Sequence, residues 1–125
     1  MIKDSHSNSY NITSHIIANS LFTKRQIDII YKKLNKADRP TNMTRGAYYR
    51  QKKQCKEKVS RLLYSLLLFR ALNIIDKQTL FAIERISEQL TVMFDSKNNS
   101  DISQLSHNES VMYTIDELIK RMNPL

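Results

Sequence analysis

Between Thr44 and Arg61 the sequence TRGAYYRQKKQCKEKVSR sets cationic and aromatic side chains at helical spacing. At about 100° per residue, Tyr49, Arg50, Lys53, Lys56, Glu57 and Ser60 fall opposite a seam of Tyr48, Cys55 and Val59. Lysine and arginine neutralise phosphate. Arginine can also pair bidentately with guanine, and glutamine with adenine. Arg45, Arg50 and Gln51 therefore hold base-reading chemistry, Gln51 lying nearer the seam than Arg50. Tyr49 points outward, where it can touch phosphate, stack on a base or stand as a plain surface tyrosine. Tyr48 is on the seam and reads as core. The start of such a helix adds unsatisfied N–H groups and a positive dipole end, both favourable to phosphate. Gly46, close to that start, lowers helix stability. Either a close approach of backbone to phosphate or a packing need would explain it.

The charge distribution points the same way. The 125-residue chain carries a formal net charge of +8. Residues 23–61 hold thirteen Lys/Arg against Asp28, Asp38 and Glu57, a net +10, so the remainder sums to −2. A confined basic block is the footprint of a polyanion binder, although the same block also serves as a solvated face.

Other chemistry finds little support. One glycine, Gly46, cannot build a glycine-rich phosphate loop. His6, His15 and His107 are scattered and give no metal-ligand spacing with Cys55. The carboxylates are not paired. Cys55 lies on the seam, where a buried structural thiol is expected rather than a nucleophile. The chain reads as a non-enzyme without cofactor or metal. A single cysteine excludes an intramolecular disulfide. The opening MIKDSHSNSYNIT lacks an apolar signal core, and the apolar stretch Leu62–Leu72 is too short to span a bilayer. A cytoplasmic location with no membrane association is the expectation.

The elements that must position the basic face are helical. Scarcity of glycine disfavours strand-and-turn folds. Residues 1–10 are polar and expected to be disordered. Ile12, Ile16, Ile17 and Leu21 have helical spacing, although ITSHII is also compatible with an extended segment. Thr23 and Gln26 form a capping box, with Phe22 and Ile27 placed for a hydrophobic staple. The helix that follows presents Ile27, Ile30, Tyr31 and Leu34 and ends near Asn35. Residues 37–43 break the pattern, because Pro40 disfavours a helical Arg39.

One long helix then runs from about Arg45 to Leu72. Its seam is Tyr48, Cys55, Val59, Leu62, Leu66 and Phe69. Beyond Val59, Leu63, Leu67 and Leu68 widen the seam until most of the circumference is apolar, which demands a cover. Asn73 can end this helix and Asp76 can cap the next, where Leu80, Ile83, Ile86, Leu90 and Met93 form a stripe. That helix is the expected cover. Residues 96–109 read as a polar linker. A last helix over 110–122 is predicted from Val111, Ile115, Leu118, Ile119 and Met122, with Thr114 and Glu117 as its capping box.

The string LFTKRQIDIIYKKL resembles the opening helix of the helix-turn-helix in region 4 of sigma-70 factors, where a Leu-Thr-x-Arg-Glu/Gln pattern begins the motif. MTRGAYYRQKKQCKEKVSRLL is similar to the recognition helix of that family. The resemblance implies that this helix lies in the DNA major groove, with Thr44, Arg45, Tyr49, Arg50 and Lys53 facing DNA. The chain departs from the family pattern in one respect. Only residues 36–43 remain between the two helices, where the family has a scaffold helix.

These observations predict an all-α fold of four to five helices, with a helix-turn-helix-like module at 22–61 and one long central helix. Residues 11–95 would form a single helical domain, with 62–95 as scaffold. The expected function is DNA binding in transcription regulation, through Lys24, Arg25, Thr44, Arg45, Tyr49, Arg50, Lys53 and Lys56. A homodimer is expected through Leu62, Leu66, Leu67, Phe69 and the 77–94 helix. The alternatives are RNA or ribosome binding, and a helical protein–protein interaction module without nucleic acid.

Overall fold

The computed structural model describes residues 11–38, 42–95 and 102–125, and the expected disorder of 1–10 lies outside them. Five helices and no strands are found among the described residues: α1 (Ile12–Ala18), α2 (Lys24–Leu34), α3 (Arg45–Ala71), α4 (Lys77–Asp95) and α5 (Ile102–Met122). The all-α fold with one long helix matches the pattern of apolar residues. The described residues fall into two compact units, one comprising residues 16–68 and the other 11–15 with 69–95 and 102–125.

The 16–68 unit is built on a hairpin of α2 and α3. Thr23 caps α2: its hydroxyl accepts from the Gln26 N–H at 3.1 Å, and the Gln26 side chain accepts from the Thr23 N–H at 3.0 Å. At the other end Lys36 adopts φ 56°, in the left-handed region. The Ala37 N–H then reaches the Lys32 carbonyl at 2.8 Å and the Lys36 N–H reaches that of Lys33 at 3.3 Å, the two bonds of a Schellman motif. Thr44 starts α3 by accepting from the Ala47 N–H at 3.1 Å.

The core of this hairpin joins Ile29, Met43 and Cys55, flanked by Ile30, Ala47 and Tyr48. It corrects the predicted stripe of α2. Ile29 is fully buried, whereas Tyr31 and Leu34 are 66% and 76% exposed. The helix is rotated relative to the expectation because Gln26, a polar residue, is also buried and sets the inward face. Leu21 lies beyond the end of α1 and is exposed, so it does not extend that helix's stripe.

In the other unit, α3 ends by a second Schellman motif, with Asn73 at φ 60°. The Ile74 N–H donates to the Phe69 carbonyl at 2.8 Å and Asn73 to that of Arg70 at 3.1 Å. The Arg70 guanidinium also donates to the Ile75 carbonyl at 2.9 Å. Asp76 caps α4 through the Thr79 N–H at 2.8 Å, and that hydrogen bond holds its carboxyl below the usual range. Within this unit α4 and α5 face one another across a cleft of about 590 Å³, lined by Ile86, Leu90, Met93, Val111, Ile115 and Leu118 among others. His15 meets Asp116 of α5 at 2.7 Å, and Ile12 is buried. The last helix therefore packs in cis. It also begins earlier than expected, since residues 102–109 are helical and not linker. Thr114 lies inside α5 and donates to the Ser110 carbonyl at 2.9 Å, so it is not a cap.

Candidate nucleic-acid interface

The basic residues singled out above all belong to the 16–68 unit. Lys24, Arg25, Thr44, Arg45, Tyr49, Arg50, Lys53 and Lys56 are all exposed. Two bonds fix how the elements that carry them cross. Lys58 Nζ, on α3, donates to the Leu21 carbonyl at 2.7 Å and to Gln26 Oε1 at 3.0 Å. The Cys55 thiol lies 3.8 Å from the Gln26 carbonyl. The start of α2 is thus held beside residues 55–58 of α3, and the later part of α2, through Ile29, packs towards Ala47 and Tyr48.

This crossing separates the candidate residues into two groups. Lys24 and Arg25, at the start of α2, lie level with Lys58. Arg45 is thirteen residues earlier on α3, about 20 Å away along the helix axis. The cationic surface is a line along the hairpin and not a cluster at one helix start. Between these ends the outer face of α3 carries Tyr49, Arg50, Lys53 and Lys56 on the side opposite buried Cys55. Among the described residues, none of these cations forms an ion pair or hydrogen bond, while Lys32 pairs with Asp28 at 3.3 Å. The like charges persist because the side chains are solvated. Phosphate oxygens would replace that water without first breaking an internal bond.

Lys58 differs from its neighbours. Besides its two hydrogen bonds it sits 5.5 Å from the centre of the Phe22 ring. This cation is a clasp between α3 and the start of α2 and is withdrawn from the outer face. Lys52 is likewise engaged, 4.9 Å from the Tyr49 ring centre and 5.6 Å from that of Tyr48. Its ammonium stiffens Tyr49, which remains 56% exposed.

Two residues missing from the predicted set, Arg61 and Tyr64, extend the line. Lys53, Lys56, Glu57, Ser60, Arg61 and Tyr64 line one shallow groove of about 510 Å³ along α3. Arg61 and Tyr64 continue the register of Lys53, Glu57 and Ser60 by steps of three and four. The signal was present in the sequence but runs into the leucine-rich stretch, where Tyr64 looks like one more apolar residue. Glu57 is the one carboxylate in the groove.

Gly46 faces open space. A Cβ built there would meet only Arg50 Nη1 at 3.7 Å, an ordinary contact, and its φ is not positive. Among the described residues packing does not require glycine at this position. Cys55 is 3% exposed, and burial raises its thiol pKa above the ordinary value despite the opposing charge of Lys58.

No family model, curated protein or solved structure matches this chain in the comparisons made with each.

Proposed function

We propose that this chain binds duplex DNA along the outer face of α3 and acts in transcription regulation. The supporting observation is a line of exposed cations about 24 Å long, from Arg45 through Arg50, Lys53 and Lys56 to Arg61, with Glu57 as the one carboxylate in its groove and Lys24 and Arg25 beside its far end. Each DNA strand presents one phosphate per about 3.4 Å of axis, so such a line spans on the order of seven. An α-helix has the diameter to enter the major groove, where Arg45 and Arg50 would reach base edges. The resemblance of the two quoted motifs to sigma-70 region 4 supports the same placement of these residue types.

A second reading, single-stranded nucleic acid or folded RNA, is favoured by one observation. Tyr49 and Tyr64 are 56% and 73% exposed along the same cationic line, as stacking platforms require.

The test is a binding series with duplex DNA, single-stranded DNA and RNA at about 50 mM salt, repeated upward. Seven engaged cations predict a log–log salt slope near −6 on duplex DNA. Replacing Arg50 and Lys53 with Ala should flatten the slope by about 2 and leave the thermal midpoint unchanged. Preference for RNA would transfer the assignment to the second reading. Absence of binding to any of the three would leave the basic face to an acidic protein partner or to solvent.

A further inference from the structure

The groove along α3 holds one residue that a phosphate track has no use for. Lys53, Lys56, Ser60, Arg61 and Tyr64 suit an anion, and Glu57 lies among them. It is exposed, four residues after Lys53 and four before Arg61, about 6 Å along the axis from each. On a helix surface that spacing lets a carboxylate pair with either cation. It does so between Asp28 and Lys32, at 3.3 Å. Among the described residues Glu57 pairs with neither neighbour, so its oxygens are open to a ligand.

An ionised carboxylate repels phosphate and can only accept hydrogen bonds. A ligand that fits must offer a donor at this point, with acceptors or anions on either side for the cations. The donors in the major groove of duplex DNA are the amino groups of cytosine (N4) and adenine (N6). The adenine amino group lies between two acceptors, its own N7 and O4 of thymine. The cytosine amino group has an acceptor, guanine O6, on one side alone, so a carboxylate meets less repulsion there. The guanine of the same pair presents O6 and N7, which lysine and arginine favour.

We propose that Glu57 selects cytosine and makes the middle of α3 a reader of G·C pairs, with Lys53 and Arg61 on the guanine edges to either side. The position suits that role. A straight helix laid in the groove reaches deepest near its midpoint, and Lys53 is the midpoint of the line from Arg45 to Arg61, one turn from Glu57. This role for Glu57 rests on duplex DNA being the ligand of α3.

The test is competition binding of wild type and E57Q to two duplexes of about 20 base pairs, one alternating G·C and one alternating A·T, at about 50 mM salt. Wild type should favour the G·C duplex by about fivefold or more, the lower end of what a good base-edge contact discriminates. Glutamine pairs with adenine, so E57Q should lose that preference and turn towards the A·T duplex. E57A should lose it without that turn. Both variants should keep the helical circular dichroism of wild type, since Glu57 is exposed. Removal of an anion with no role in base reading would instead strengthen binding to both duplexes by one factor. E84Q removes the same charge from the other unit and should leave the preference as it is. A wild type that binds the two duplexes equally overturns the proposal and leaves the duplex-DNA reading standing. So does an E57Q that strengthens both alike, or an E57A that keeps the preference. A wild type that binds neither duplex, or that prefers an RNA duplex of the same G·C sequence, overturns both.

Discussion

Replacing Gly46 with Ala separates the needs of the fold from those of a ligand. Gly46 is the second residue of α3, and no neighbour lies closer than 3.7 Å to the site of the added methyl. Its backbone lies outside the left-handed region, so alanine fits without strain. Glycine inside a helix costs about 0.5–1 kcal/mol relative to alanine, partly through the entropy of the unfolded chain. The first turn has few intrahelical bonds, so the lower half of that range applies, about 0.5 kcal/mol. For a chain of this length that corresponds to a rise of roughly 1–4 °C in the thermal midpoint. Urea denaturation followed by circular dichroism should show a higher midpoint at unchanged slope. Affinity for duplex DNA should fall in the same variant, because the methyl stands where a phosphate would approach the backbone. A destabilised G46A would refute the open space assigned to this position. A stabilised variant with unchanged affinity would refute the close approach and leave Gly46 without a role.

Three further substitutions address the framework. Lys58→Met removes both hydrogen bonds that clasp α2 to α3 and should cost about 1–3 kcal/mol by urea denaturation, a loss that no change on the outer face should match. Lys36→Gly relieves a left-handed backbone that non-glycine residues adopt at about 1 kcal/mol or more, so it should raise the midpoint. At Cys55 burial raises the folded pKa, so the thiol stays protonated in the fold at pH values where it ionises in the unfolded chain. The resulting stability is fully present below the unfolded thiol value, about 8.5, and declines as pH rises through the folded one. Alkylation at pH 8.5 should be much slower in the native protein than in urea. Equal rates would show that Cys55 is accessible.

The helices were legible because their boundaries rest on local chemistry. Thr23 with Gln26, and Asp76, are caps whose function needs only three or four neighbouring residues. The start of α5 was missed because the stretch 95–109 is mostly polar, with Ile102 and Leu105 as its only large apolar residues, although Asp101 and Gln104 have the spacing of a capping box before Ile102. Thr114 gave a false one. The inward face of α2 was misjudged because Gln26 is buried. A buried glutamine is intelligible only once Lys58, thirty-two positions away, is known to bond it. The same distance in sequence explains why Lys58 looked like one more surface cation. The outer face of α3 was read correctly over 49–60, where polar and apolar residues alternate at helical spacing. Its continuation to Arg61 and Tyr64 was hidden by the leucines around them.

Among the described residues the centre of the α2–α3 hairpin is small: Ile29 is wholly enclosed, and Met43 and Cys55 nearly so, with Ile30, Ala47 and Tyr48 partly buried against them. Burying three side chains of this size contributes only about 5–9 kcal/mol before chain entropy is set against it. The opening equilibrium of a unit with so small a centre would respond to anything that binds the closed form alone. A polyanion at a hundred times its dissociation constant would add about 2.7 kcal/mol to that equilibrium. Occupancy would then govern how rigid the hairpin is, and the surface that meets the ligand would also be the one whose order the ligand completes.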